Sequence, residues 1–226
     1  MYKSLAVTTF IVCAVLAANA QEVSSNKISS RFEFIAGPSF SNNSGYLNDY
    51  DSKIGYSIGV GYYQKLSRSF SLNFRSLYEM KGSVATYGYG VADDIATIEV
   101  EGTYTTKFNY LTFYLLPTLQ IGRNKNIYIS AGGYYSLLHR LAVNSYLTRS
   151  DTGELLSDDT TTDKNYFDPG YDAGVSFQLG YSFKVSDKCQ LMLQSFINRG
   201  LVDLYNDSIG SQRNNTFGLL LAMRIR

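Results

Sequence analysis

The sequence of 226 residues has no tryptophan, three prolines, two cysteines and one histidine. Scarce proline leaves long segments able to donate every backbone N–H to a sheet ladder. Cys13 lies in the apolar segment at the N-terminus and is preceded by Val12 rather than a small residue, so a lipid attachment box is not expected there. Cys189 is then the only cysteine left, which excludes a small scaffold held by internal disulfides. With His139 as the lone histidine, any histidine-based general base has to be that residue, and no spacing of metal ligands is present. A net charge of +1 gives no reason to expect a nucleic-acid partner. Beyond the N-terminus no stretch approaches the ~18 consecutive apolar residues of a spanning helix.

The N-terminal segment itself reads as an export signal. Met1-Tyr2-Lys3 is followed by an apolar run over residues 5–18 and by Ala18-Asn19-Ala20 ahead of polar Gln21-Glu22. A short basic start, a brief apolar region and a small-x-small site are the marks of a signal peptide. Cleavage is expected after Ala20, with residues 21–30 as a short periplasmic lead and residues 31–226 as one domain.

What the chain has in quantity is 20 tyrosines, 13 phenylalanines and 19 glycines, a mixture that favours strands and tight turns. An exported protein of this composition is a secreted β-sandwich or a membrane barrel, and period-2 alternation separates the two. A strand between lipid and lumen alternates strictly. Residues 171–183 do so without a break: Tyr171, Ala173, Val175, Phe177, Leu179, Tyr181 and Phe183 share one parity, against Asp172, Gly174, Ser176, Gln178, Gly180 and Ser182. Residues 31–40, 53–66, 70–81, 110–121, 127–141, 189–201 and 216–226 supply seven more strands. Such strands exceed the usual ~5 to 6 residues of a sandwich strand and suit a tilted span of the bilayer. Short connections at residues 67–69, 122–126 and 184–188 alternate with long ones at 41–52, 83–109, 142–165 and 205–215. An even strand number with short periplasmic turns and long outer loops implies an all-β, antiparallel, eight-stranded transmembrane β-barrel in the outer membrane of a Gram-negative cell.

Several motifs, in order along the chain, resemble the small outer-membrane β-barrel family that includes the PorT-like proteins and porin-family barrel domains. They are Leu77-Tyr78-Glu79-Met80-Lys81-Gly82, Tyr110-Leu111 with Leu116-Pro117, Ala131-Gly132-Gly133-Tyr134, Asp172-Ala173-Gly174 with Gly180-Tyr181, and Asn198-Arg199-Gly200-Leu201. In the fourth strand the family's tighter Tyr-Leu-x-x-Pro spacing is not kept, since Tyr110 stands seven residues before Pro117. The resemblance implies the fold and the membrane; a role in protein export follows from it only by analogy.

Candidate site residues come from the inward parity. Glu33, Arg75, Glu79, Lys81, Asp172 and Arg224 are expected to face one narrow lumen, where buried charge has to be paired. Inward glycines such as Gly174 and Gly180 leave room for inward Tyr63, Tyr114, Tyr128 and Tyr134, so a filled lumen is expected. The connection at residues 142–165 carries Asp151, Glu154, Asp158, Asp159 and Asp163 without the spacing of an EF-hand; a solvated acidic loop is one reading and divalent-cation bridging to lipid headgroups the other. Tyr87-Gly88-Tyr89-Gly90 and Tyr104 suit either a recognition loop or a β-extension above the membrane. His139 is expected on the outward face with Tyr135, Leu137 and Leu141. Lys65, Arg68, Arg123, Lys125, Lys184, Lys188, Arg224 and Arg226 gather at the periplasmic end.

The functional expectation is a monomeric, non-enzymatic barrel with no catalytic residue, metal or cofactor. It sits among outer-membrane lipids and binds a protein partner through its outer loops or periplasmic face. A lipid-modifying barrel enzyme using His139 and a narrow solute channel are the alternatives.

Overall fold

The computed structural model describes residues 30–44, 50–92, 97–162, 170–186, 188–204 and 212–225. The expected signal peptide and all of the expected periplasmic lead but Ser30 therefore lie outside the described residues, as do Asp163 and Arg226. The strands are β1 (Ser30–Ser44), β2 (Tyr50–Lys65), β3 (Phe70–Ala92), β4 (Thr97–Ile121), β5 (Ile127–Arg149), β6 (Leu155–Thr161), β7 (Tyr171–Lys184), β8 (Cys189–Gly200) and β9 (Arg213–Ile225). Every ladder is antiparallel. Eight strands close a ring in the order β1-β2-β3-β4-β5-β7-β8-β9 and back to β1, while β6 pairs only with β5. Among the described residues no helix is long and apolar enough to cross a membrane. Closing the ring satisfies the backbone polar groups that an open sheet edge would leave bare in lipid.

Alternation along the strands is the physical cause of the closure. Phe34, Ile58, Val60, Phe177 and Leu221 are exposed on the outer surface, and the residues on either side of Phe34, Phe177 and Leu221 are buried. An outer wall of exposed large apolar side chains is stable only against lipid.

The ring is extended on one side. The β3–β4 ladder runs unbroken from Phe70↔Leu119 to Ala92↔Thr97, whereas β2 follows β3 only as far as Tyr50↔Ala85. β4 and β5 remain paired out to Val100↔Arg149, beyond the last β5–β7 pair, Leu137↔Tyr171. With β6 added along Val143↔Thr161 to Thr148↔Leu155, a four-stranded sheet projects from the ring. Two of the expected long loops, residues 83–109 and 142–165, are thus largely strand. Their sequence keeps β propensity, as in Thr103-Tyr104-Thr105-Thr106, but loses apolar/polar alternation, and on β6 nearly every residue is exposed.

A second correction concerns Leu141. Asn109 pairs with Arg140 and Tyr110 with Leu138, so His139 is an extra residue, a β-bulge that shifts the inward parity of β5 from even to odd. His139 stays exposed and meets the Tyr78 ring edge-on at 6.1 Å between centroids. Leu141, expected beside it on the outer surface, turns inward and is fully buried against Phe108 and Tyr110.

Candidate functional site in the barrel lumen

The inward row of β3 reads Asn73, Arg75, Leu77, Glu79, Lys81, and this order divides the lumen into layers. All six expected charges are inside, at 4 % exposure or less. They form two triads rather than one network, because Leu77 stands between Arg75 and Glu79.

The inner triad is centred on Glu33. Arg75 Nε donates to Glu33 Oε2 at 3.1 Å, and Arg224 Nε donates to Glu33 Oε1 at 2.9 Å, supported by Arg224 Nη2. The opposite edge of Arg75 donates to Gln178 Oε1 at 2.7 Å and Gln194 Oε1 at 3.2 Å, and the Arg224 guanidinium stacks 3.6 Å from the centre of the Tyr63 ring. Two guanidiniums on one carboxylate leave this layer with an excess positive charge. The outer triad has the reverse balance. Lys81 Nζ lies 3.3 Å from Asp172 Oδ2 and 3.5 Å from Glu79 Oε2, and 4.6 Å from the centre of the Tyr134 ring. Tyr114 donates its hydroxyl to Glu79 Oε1 at 2.7 Å, while Tyr134 and Asn214 Nδ2 donate to Asp172 Oδ2, each at 3.2 Å. Ionised groups in so narrow a barrel are tolerable because each has a counter-charge, and Arg75, Glu79 and Asp172 are hydrogen-bonded further.

An apolar cluster that includes Ile35, Leu77, Leu116, Phe196, Leu220 and Ala222, each at 2 % exposure or less, fills the lumen, with Leu77 between Arg75 and Glu79 along β3. Tyrosines complete the filling. Tyr128 faces Gly180 and Tyr134 faces Gly174 in the ladder, and a Cβ at those glycines would come within 2.3 Å of Tyr128 and 2.8 Å of Tyr134. Glycine on one strand is therefore what admits the ring from its neighbour.

The amide partners Gln178, Gln194, Asn198 and Asn214 are the part of this site that charge-based reading passed over. Their signal was a polar amide at an inward position, visible once parity is fixed. Loss of the Glu79 carboxylate should lower the thermal midpoint more than loss of Glu154, which is exposed in the turn after β5. Thermal unfolding of Glu79→Ala and Glu154→Ala in detergent micelles measures the difference.

Among the described residues the acidic side chains of the outer end do not form one cluster. Asp151 is ion-paired with Arg149 at 2.7 Å; the hydrogen bond from that guanidinium holds its carboxyl below the usual range. Whatever this pair adds to stability is present at neutral pH and is lost as pH falls through the depressed value. Asp158 and Asp159 are consecutive on strand β6, not in a loop, so they point to opposite faces, and Ser157 Oγ donates to Asp159 Oδ2 at 2.8 Å. Among the described residues no three His, Cys, Asp or Glu side chains are grouped to hold a metal ion. Tyr87 and Tyr104 stack at 5.0 Å on the projecting sheet, the β-extension of the two readings open for that segment.

A closed antiparallel ring with a lipid-compatible wall and a filled polar lumen defines a small outer-membrane β-barrel. The chain belongs to the outer membrane protein beta-barrel domain family, whose model matches residues 19–206, and it resides in the outer membrane. No curated protein matches it. Among solved structures it is similar to Ail, the attachment invasion locus protein of Yersinia pestis, at 9 % identity and a TM-score of 0.38, covering 87 % of this chain and 99 % of that one. Neisserial surface protein A aligns at 12 % identity and a TM-score of 0.39, covering 87 % and 98 %. OprG from Pseudomonas aeruginosa aligns at 8 % identity and a TM-score of 0.40, covering 88 % and 97 %. Likeness this distant assigns no activity.

Proposed function

We propose that this protein is a non-enzymatic outer-membrane barrel that works at its ends, by recognition, and not through its lumen. The observation that carries this reading is the filled lumen, in which Leu77, Leu116 and Leu220 are buried together with two paired charge triads. The outer end offers the projecting sheet of β3 to β6, with Tyr87, Tyr146, Leu155 and Leu156 exposed. Rigid aromatic and aliphatic groups on a paired sheet suit contact with a protein or saccharide surface. Participation in protein export, by analogy with PorT-like barrels, is the version in which the partner belongs to a secretion assembly.

Against a lipid-modifying enzyme stands the position of His139. It is the one histidine of the chain, and it lies exposed on the outer wall beside Tyr78, while Glu33, Glu79 and Asp172 are buried in the lumen and engaged there by Arg75, Arg224 and Lys81. Site-specific photocrosslinking in living cells tests the recognition reading. A probe replacing Tyr146 on the projecting sheet, or Arg123 in the turn between β4 and β5, should give a discrete adduct from at least one end. Absence of any adduct from both, in cells that require the protein, would contradict it.

A further inference from the structure

The β-bulge at His139 changes the charge of the outer wall. From Tyr128 to Leu138 the even positions of β5 point inward, and Arg140 would follow them into the lumen. The extra residue turns it out instead, so that His139 and Arg140 are exposed one after the other on the outer surface. Bulges at barrel rims re-aim side chains in this way. Across the β4–β5 ladder Arg140 pairs with Asn109. Two residues from Asn109 stands Lys107, on the outward row that contains the exposed Leu111 and Phe113. Lys107 and Arg140 are therefore diagonal neighbours on one face, with Cβ atoms about 7 Å apart.

A third cation comes from β2. Lys53 Cδ lies 3.0 Å from the place a Cβ on Gly82 would take, and Gly82 is the ladder partner of Lys107. The ammoniums of Lys53 and Lys107 are near enough to repel one another. Among the described residues none of the three cations is ion-paired, and Asp51 and Glu101, exposed carboxylates of β2 and β4, join none of them.

The height of this group on the wall is set by aromatic rings. Tyr78 meets Tyr56 at 6.4 Å and His139 at 6.1 Å between centroids, an aromatic girdle of the kind that marks the boundary of the hydrocarbon. Arg140 stands one outward row beyond Tyr78 and Lys107 two, at the depth of lipid headgroups. Snorkelling accounts for a single basic side chain at a membrane edge. It does not account for a bulge that brings Arg140 beside Lys107, because that raises their repulsion unless an anion lies between them.

The donors fit a phosphate. An arginine fork meets it with two parallel hydrogen bonds and a lysine meets it as a point charge. The exposed His139 imidazole lies between these cations and the girdle, where it can hydrogen-bond the hydroxyls of an attached sugar.

We propose that the outward face of β3 to β5 at the outer rim, with Lys53 of β2 beside it, binds the phosphorylated headgroup of a glycolipid of the outer leaflet. The site requires neither a protein partner nor a closed lumen, and stands apart from the recognition reading above.

The test is native mass spectrometry of the purified protein in detergent, titrated with diphosphorylated lipid A, with its dephosphorylated counterpart and with phosphatidylglycerol. A saturable one-to-one adduct with diphosphorylated lipid A is expected, at least tenfold tighter than with either of the others. It should weaken about tenfold or more in the double variant Lys107→Gln/Arg140→Gln. Arg199→Gln, which removes an exposed cation near the outer end of β8, should leave it unchanged. Each variant is first checked for heat-modifiable migration, so that loss of binding is separated from loss of folding. Equal binding of phosphatidylglycerol, an unchanged double variant, or an equal loss in Arg199→Gln would overturn the proposal.

Discussion

Glu33→Ala is expected to destabilise the folded barrel by about 3 to 5 kcal/mol, more than any other single change in the lumen. The size follows from geometry. Glu33 is buried and is the carboxylate to which both Arg75 and Arg224 donate, so its removal leaves two guanidiniums in a filled interior without their counter-charge. Gln178 and Gln194 still accept from Arg75, but an amide oxygen does not neutralise a cation. Glu79→Ala should cost less, because Lys81 keeps Asp172 at 3.3 Å. Urea titration of both variants in lipid vesicles measures the difference. Equal and small losses would mean that water reaches Arg75 and Arg224 and that the inner lumen is open.

Val175→Arg should cost about 2 to 4 kcal/mol on folding into bilayers, against little or nothing for Leu155→Arg. Val175 is half exposed on the apolar outer wall, midway along the β7 ladder to β5, where a guanidinium would have to displace lipid. Leu155 is at least as exposed, on β6 of the projecting sheet, where the surroundings are water. The pair asks where the membrane ends. Equal costs would place β6 within the bilayer; equal tolerance would remove Val175 from it.

The ring was readable from the sequence wherever two different solvents enforced alternation. Residues 171–183 show this most plainly, since lipid selects Val175, Phe177 and Leu179 while the lumen selects Ser176, Gln178 and Gly180. Where both faces meet water, as along Leu155–Thr161, the same signal disappears, and that strand had the appearance of loop. The bulge at His139 was equally hidden, because a local parity shift becomes visible only when the β4 partner of each residue is known.

The candidate site was legible to the level of which side chains enter the lumen, and not to the level of their grouping. Parity placed Glu33, Arg75, Glu79, Lys81, Asp172 and Arg224 inside, but pairing depends on the register between strands far apart in the chain. Glu33↔Arg224 across β1–β9 is one such pairing, and it makes Arg224 a partner of Glu33 rather than of Asp172. The division into two triads follows from Leu77, whose inward position was implicit in its parity and whose insulating effect needed Leu116 and Leu220 opposite it.

Whether the lumen is closed is decided most directly by the conductance of the purified protein in planar lipid bilayers. A barrel stoppered by two ion-paired triads and buried leucines should insert without producing a large, steady current. A stable, large conductance, reproducible from one insertion to the next, would show a continuous wet path through the lumen and contradict the account.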